Sequence, residues 1–299
     1  MSLPKGRKVA LGFKSAAEKY LSKLQEEGGK DLKAKKMRLS HHLVPFFKDK
    51  PLSGISTFDI ERYKKSRRDS GIAPGTINRE LAALSHLFGK AQEWKWIDFK
   101  PALIRRLKEN PGRIIYLTGE QAARLIEVAK QDQNPQVYPF ILIGLETGMR
   151  RMEILSIRLD NIHLARRMIF IPNGKTGARE QPITRHLAEF LKGCMETAKL
   201  GQEWLFPAKS KTGHTVAIEK SFRRVVEGAG LDPNEIVRHT LRHTAITHLV
   251  QSGVDLPTVK RISGHKTLAM VERYSHQNGE HIQVAMDKLE NRLHAANDQ

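Results

Sequence analysis

The 299-residue chain has a single cysteine, Cys194, so no internal disulfide and no cysteine-cage metal site is available to it. That thiol reads as a small apolar filler, and its isolation suits a reducing cytosol. Aromatic residues are scarce at 6%, against 39% hydrophobic residues overall, a balance that predicts compact, mostly helical cores rather than disorder. Long hydrophobic runs are missing too: the longest, Tyr138 to Leu145, is too short to span a bilayer. The opening Met1-Ser-Leu-Pro-Lys-Gly-Arg lacks the apolar segment of a secretory signal. Neither membrane insertion nor secretion is expected, which leaves the cytoplasm. Acidic charge is the last shortage. Asp and Glu number 32 against 51 Lys and Arg, for a net charge of +19 and a pI near 10.0.

The surplus is uneven: positions 1–100 hold 22 basic and 11 acidic residues, the remaining 199 hold 29 and 21. Attraction to a phosphate backbone does not depend on sequence, so an excess of this size points to nucleic acid, with an anionic membrane surface as the weaker alternative. Candidate contacts are the clusters Lys33, Lys35, Lys36, Arg38 and Lys64, Lys65, Arg67, Arg68, together with Arg151 and Arg179 further along. Any one of these runs also fits a solvated face. The imbalance of the whole chain does not.

Residues 14 to 96 carry helical spacing without a strand pattern. Four helices are predicted: Lys14 to Gln25, Asp31 to Phe47, one opened by Thr57 and stopped near Gly71, and a longer one after Pro74-Gly75-Thr76. In the second, Leu39, His42, Leu43, Phe46 and Phe47 share one side while the basic residues crowd its start. From Trp96 to Leu117 no period survives Pro101, Arg105-Arg106 and Pro111-Gly112-Arg113, which predicts a linker. The expected boundaries are a helical domain over 1–98, a linker over 99–117 and a second domain over 118–299. Thr118 and Gln121 form a capping box for the next helix. Between Asp160 and Ile183, the segments Asn161-Ile-His, Arg167-Met-Ile-Phe-Ile and Glu180-Gln-Pro-Ile read as short strands, with Asn173-Gly174 as a tight turn. Helices resume at Thr184, again from about Ala217 to Gly228, and in a series punctuated by Gly253 and Gly264. The fold class expected is mainly α with a small β-sheet.

Four segments of the second domain place phosphate-competent side chains at structural boundaries. In Thr147-Gly148-Met149-Arg150-Arg151-Met152-Glu153, Gly148 ends one helix and Arg150 begins the next, with Glu153 three residues on. An arginine fork fits two oxygens of one phosphate, and a carboxylate one turn away can hold it; alone, the pair also fits a plain surface helix. Lys175, in Ile171-Pro-Asn-Gly-Lys-Thr, sits at a hairpin tip, from which a lysine can enter a site and release a proton. In His239-Thr-Leu-Arg242-His243, His239 and Arg242 are neighbours on one helical face. His239 and His243 are also spaced for zinc, but no glutamate follows His239 and no third ligand is indicated, so phosphate is the better reading. Last come Gly264-His265 and, nine residues beyond, Tyr274, which alone fits a half-buried helix aromatic.

The set Arg150-x-x-Glu153, Lys175, His239-x-x-Arg242, Gly264-His265 and Tyr274, in this order and spacing, resembles the catalytic signature of the tyrosine recombinases, or phage-type integrases. The match covers the whole second domain, and the basic helical first domain is similar to that family's core-binding domain. The resemblance implies a two-domain, C-shaped clamp around double-stranded DNA at a recombination site, and an exchange of phosphodiesters needing neither metal nor other cofactor. It implies Tyr274 as the nucleophile forming a 3'-phosphotyrosyl link, and Arg150 and Arg242 as clamps on the non-bridging oxygens. Lys175 is implied as the acid for the leaving 5'-oxygen, His239 as an aid to proton transfer at the tyrosine, His265 as a donor to phosphate, and Glu153 as a support for the arginine. Integration or excision of a mobile element by a homo-tetramer on DNA follows, with directionality or host factors as further partners.

Two departures from the family pattern stand out: Arg151 where an apolar residue is usual, and Ser263 where leucine commonly precedes Gly264-His265. Arg150 is taken as the clamp because it follows Thr147-Gly148-Met149; Arg151 is left for the DNA backbone. The stretch from His281 to Leu293 places Ile282, Met286, Leu289 and Leu293 at helical intervals, an apolar stripe for its own domain or for docking on a neighbouring protomer. With about ten residues ahead of the first helix, no separate arm-binding domain is expected, and simple core sites are the expected targets. The competing readings are a DNA-binding protein of this fold without catalysis, a type IB topoisomerase-like nicking and closing enzyme, and more distantly a zinc hydrolase.

Overall fold

The computed structural model of the chain describes residues 11–110, 112–174 and 177–275, and positions 283, 286–287 and 289–291 beyond them. The described residues divide into two compact units that meet in sequence between Gly112 and Arg113. Both are built mainly of helices.

In the first unit, helix α1 (Phe13–Glu26) buries Phe13, Ala16, Ala17, Tyr20 and Leu24, a stripe at the spacing of one helical face. Helix α2 (Leu32–Arg38) runs through a π turn (Leu39–Leu43) into α3 (Val44–Phe47), filling the span predicted as one helix. Pro45 brings no N–H to the ladder, and the change of hydrogen-bond register lies just ahead of it. Helix α4 (Thr57–Asp69) opens on a capping box of Ser56 and Asp59, and α5 (Pro74–Glu93) starts with proline in the first turn, where its missing donor costs nothing. Their inner faces close one core around Tyr20, Leu43, Ile60, Tyr63, Leu81 and Leu84. Part of the predicted linker lies on this unit. Asn78 of α5 donates from Nδ2 to the carbonyl of Leu107 at 2.9 Å and accepts from its N–H at 2.8 Å.

The second unit opens with helix α6 (Gly119–Lys130), whose Thr118 and Gln121 form the predicted capping box. Helix α7 (Val137–Thr147) is apolar almost all round because it is enclosed; it packs on α6 and on the later α11 (Arg238–Gln251). After α8 (Arg151–Leu155) comes an antiparallel sheet in the order β1 (Ile162–His163), β2 (Met168–Ile171), β3 (Arg179–Pro182). Its register pairs Ile169 with Ile162 and with Gln181. Ile169 and Ile171 point inward and Phe170 outward, the alternation of a one-sided sheet. Helices α9 (Arg185–Glu196), α10 (Glu219–Gly228), α12 (Leu256–Ser263) and α13 (Ala269–Glu272) complete the described part. Cys194 on α9 is half-buried, and burial raises its thiol pKa, as suits a filler. Among the described residues, no helix is long and apolar enough to cross a membrane.

Candidate active site

Two helices of the second unit end on a glycine, and each offers its carbonyl to an arginine. Gly148 closes α7 at φ 63°, and its carbonyl accepts from Nη1 of Arg242 at 2.6 Å. Gly264 closes α12 at φ 63°, and its carbonyl accepts from Nη2 of Arg150 at 3.0 Å. Positive φ favours glycine at both, and at Gly264 a Cβ would also stand 2.7 Å from Nε of Arg179. Two helix ends thus fix two guanidinium groups on one side of the unit.

Arg150 is held from behind as well. Its Nη1 donates to Glu153 Oε1 at 2.9 Å, and its backbone N–H donates to Oε2 at 3.0 Å, so one carboxylate caps the helix and orients the side chain. Glu153 is buried, which disfavours its charge, but the Arg150 N–H and the charges of Arg179 and Arg150 prevail and hold its carboxyl below the usual range. Arg179 donates to Glu153 Oε2 at 3.0 Å, to the side-chain oxygen of Gln181, and to the carbonyl of Ile262 at 3.4 Å.

Arg242 is different. It is 2% exposed, and among the described residues it pairs with no carboxylate. Its partners are the Gly148 carbonyl and Nε2 of His265, at 3.0 Å. Burial, and then the charge of Arg150, lower its pKa to about 10, which leaves it cationic at neutral pH. Since guanidinium only donates, His265 must accept at Nε2 and carry its proton on Nδ1. That proton goes to Oγ of Ser263, 2.8 Å away and itself buried. Burial, then the charges of Arg242 and Arg150, push His265 down to about 3, so the ring is neutral. In this arrangement its Nε2 accepts; donation to a phosphate requires uptake of a proton there.

Tyr274 is 2% exposed and packs among Ile114, Ile246, Val250, Val259 and Val271. Burial raises its pKa, opposed by Arg242 and Arg273, so the phenol keeps its proton. Its hydroxyl lies 2.7 Å from Nδ1 of His243. The sequence pointed to His239 for this place and offered His243 only as a zinc ligand. His239 instead stacks edge-on against His243, ring centres 4.6 Å apart, with one side open to solvent. Surrounding protein, then Arg242, Arg150 and Arg273, lower the His239 pKa. The signal available in sequence was that Arg242 and His243 are adjacent, so their side chains leave α11 in different directions, one to each reacting partner.

The other candidates divide by position. Lys175 lies outside the described residues; on either side of positions 175–176, the N–H of Gly177 donates to the carbonyl of Gly174 at 3.0 Å. Lys33, Lys36, Lys65 and Arg68 are exposed, and Lys35 and Arg38 partly so. Three expected backbone contacts face inward instead. Lys64 is 3% exposed and pairs with Glu61 at 2.7 Å. Arg67 donates twice to the buried Glu80, at 2.6 and 3.0 Å, and Arg179 is the support of Glu153 described above. In each case a nearby carboxylate outcompetes solvent for the cation. Arg151 pairs with Glu219, which also holds Arg238 at 3.3 Å. Of the apolar stripe, Met286 and Leu289 are exposed, while Ile282 and Leu293 lie outside the described residues.

A model of the phage integrase family matches residues 115–281. The shufflon-specific DNA recombinase of Escherichia coli is 30% identical over 234 residues, covering 74% of this chain and 58% of that protein. The integrase of Escherichia phage P2 is 29% identical over 231 residues, covering 76% and 63%. The chain therefore matches about three fifths of the length of these relatives. Among solved structures, the integrase of the Tn1549 transposon in complex with transposon right-end DNA aligns at a TM-score of 0.74 and 19% identity, over 92% of this chain and 99% of that one, a likeness of fold.

Proposed function

This chain belongs to the phage integrase family, the tyrosine recombinases, and from that premise we propose that it is a site-specific DNA recombinase that cleaves and rejoins strands through a 3'-phosphotyrosine intermediate. The observation that carries the reading is the buried Arg242, paired with no carboxylate among the described residues and set beside Arg150, His265 and Tyr274. A cation withdrawn from water without a directly paired carboxylate is costly, and a phosphodiester supplies an anion in that place.

In this reading Tyr274 attacks phosphorus, the P–O5' bond breaks, and the 3'-phosphate remains on the tyrosine. Arg150 and Arg242 bind the two non-bridging oxygens, where negative charge grows in the transition state; fixed positive groups there are the largest single contribution to rate. Lys175 gives the leaving 5'-oxygen its proton, and His265 donates to a phosphate oxygen once the added negative charge favours its protonation. Glu153 and Arg179 keep Arg150 in place. His239, at the open edge, borders the incoming backbone. Because the phosphotyrosyl bond conserves the energy of the phosphodiester, a second 5'-hydroxyl can reverse the step without an external source.

The substrate is a duplex recombination site, clasped by the two units in the C-shaped manner implied by the family resemblance, with Lys33, Lys36, Lys65 and Arg68 on phosphates. Four protomers assemble on two duplexes, joined through the stripe that includes Met286 and Leu289, and the biological outcome is integration or excision of a mobile element in the cytoplasm. Deletion of residues 281–299 is expected to weaken assembly on DNA in native gels. The central test is a denaturing gel for a covalent adduct on nicked duplexes from DNA flanking the gene, without metal or ATP. Wild type is expected to form the adduct and Tyr274→Phe to lose it. Tight, salt-sensitive binding without an adduct would leave a DNA-binding protein that does not cut.

A further inference from the structure

We infer that His243 is a catalytic residue of strand cleavage: its Nδ1 takes the hydroxyl proton of Tyr274 as that oxygen attacks phosphorus. The inference rests on the recombinase reading above and adds to it the identity of the proton acceptor.

The contact is direct. Tyr274 Oη and His243 Nδ1 are 2.7 Å apart, within the reach a general base needs, and the two rings meet at 42° with centres 5.7 Å apart. Among the described residues the hydroxyl has no other hydrogen-bond partner. The direction of the bond follows from the state of each group. The buried phenol retains its proton and donates it; the imidazole, held at about 4 by burial and then by His239, Arg273 and Arg242, is neutral and accepts. His243 is then the tautomer protonated on Nε2, and its Nδ1 lone pair already points at the proton that must leave.

The other imidazoles are placed for different work. His265 Nδ1 is occupied by Ser263 and its Nε2 by Arg242, and its ring centre lies 6.3 Å from that of Tyr274. His239 sits one helical turn before His243, stacked against it, with no bond to the tyrosine. Of the cations that lower the His243 pKa, Arg273 and then Arg242, the second is the one proposed to receive the phosphate. An anion held by Arg242 offsets that share, so His243 gains basicity when substrate is present.

The step balances. The Tyr274 O–H bond breaks and its proton moves to His243 Nδ1; a bond forms from the phenolic oxygen to phosphorus; the P–O5' bond breaks, and O5' takes its own proton from the acid on the other side. In the return reaction His243 gives the proton back to the departing phenolate.

The test measures adduct formation by the full chain on the nicked duplex used above, comparing wild type, Tyr274→Phe, His243→Ala and His243→Asn, with DNA binding followed by gel shift. Loss of a general base predicts a fall of roughly 100-fold or more for His243→Ala with binding retained, and recovery on addition of free imidazole. In His243→Asn the amide oxygen can still accept the hydrogen bond but cannot carry the proton away, so this variant is expected to be as slow as His243→Ala. A wild-type rate in His243→Asn overturns proton acceptance and leaves only positioning. A rate in His243→Ala equal to wild type, or above it as expected if the bond is a resting latch on Tyr274, overturns the assignment alone. Absence of any Tyr274-dependent adduct with wild type overturns the recombinase reading, and this assignment with it.

Discussion

Arg67 and Arg242 are both helical arginines, the first partly exposed and the second buried, and they differ in what answers their charge. Arg67, in the first unit, makes a two-pronged contact with Glu80, a carboxylate 1% exposed that also accepts from Tyr63 Oη at 2.6 Å. Donors and acceptors there are matched within the protein, and the Arg67 pKa is raised, chiefly by the hydrogen bond to Glu80. Arg242 meets a carbonyl and a neutral imidazole, and its pKa is lowered. The same side chain is therefore a structural brace in one unit and, in the proposed reading, the group that meets phosphate in the other. Opposite pKa shifts accompany the two roles.

Removing the counter-charge in the first unit is the largest way to break this contrast. Glu80→Ala leaves Arg67 and the Tyr63 hydroxyl without their acceptor, and loss of one partner of a buried pair costs about 3 kcal/mol or more. Urea unfolding followed through Trp94 and Trp96 is expected to show a loss of that order. A loss below about 1 kcal/mol, the level of an exposed pair, would mean that Glu80 braces nothing.

Arg242→Met is expected to reverse the pattern. It removes an unmatched charge together with two hydrogen bonds, so these terms oppose one another and the unfolding midpoint shifts less than in Glu80→Ala. The rate of adduct formation should fall by about 10²- to 10³-fold, the usual effect of losing one donor to a developing oxyanion. Measuring both in the same preparation sharpens the comparison. A large stability loss with an unchanged rate would make Arg242 a second brace.

Much of this was open to reading in the sequence, because it is local. The stripe of α1, the capping box at Thr118 and the strands around Asn173-Gly174 follow from spacing and turn chemistry over a few residues. The grouping of Arg150, Glu153, Arg242, His265 and Tyr274 came from the resemblance of their order and spacing to the tyrosine recombinase signature. What was not readable depends on partners distant in sequence. Arg67 turns inward because Glu80 is 13 residues away on the next helix, and Arg179 because Glu153 is 26 residues back. His243 meets Tyr274 across 31 residues, and a His-x-x-x-His pattern says only that two rings share a face. Composition counts a cation; only packing says whether it faces DNA or a carboxylate.

The smallest expected effect tests how Arg242 is kept ready. Ser263, which stands where the family commonly has leucine, holds Nδ1–H of His265 at 2.8 Å, and this leaves Nε2 to accept from Arg242 at 3.0 Å. Ser263 Oγ in turn lies 3.4 Å from the Lys260 carbonyl, so the hydroxyl passes the polarity of the helix end to the ring. Ser263→Ala removes the acceptor for Nδ1–H and frees the ring to exchange tautomers. With Nδ1 bare and Nε2 protonated, His265 would point a proton at a guanidinium that only donates, and the two groups would part. One hydrogen bond of this kind is worth about 1 kcal/mol, or roughly a fivefold fall in adduct rate. Ser263→Thr keeps the hydroxyl and should stay nearer wild type. If alanine and threonine behave alike, Ser263 fills space and the His265 tautomer is set by Arg242 alone.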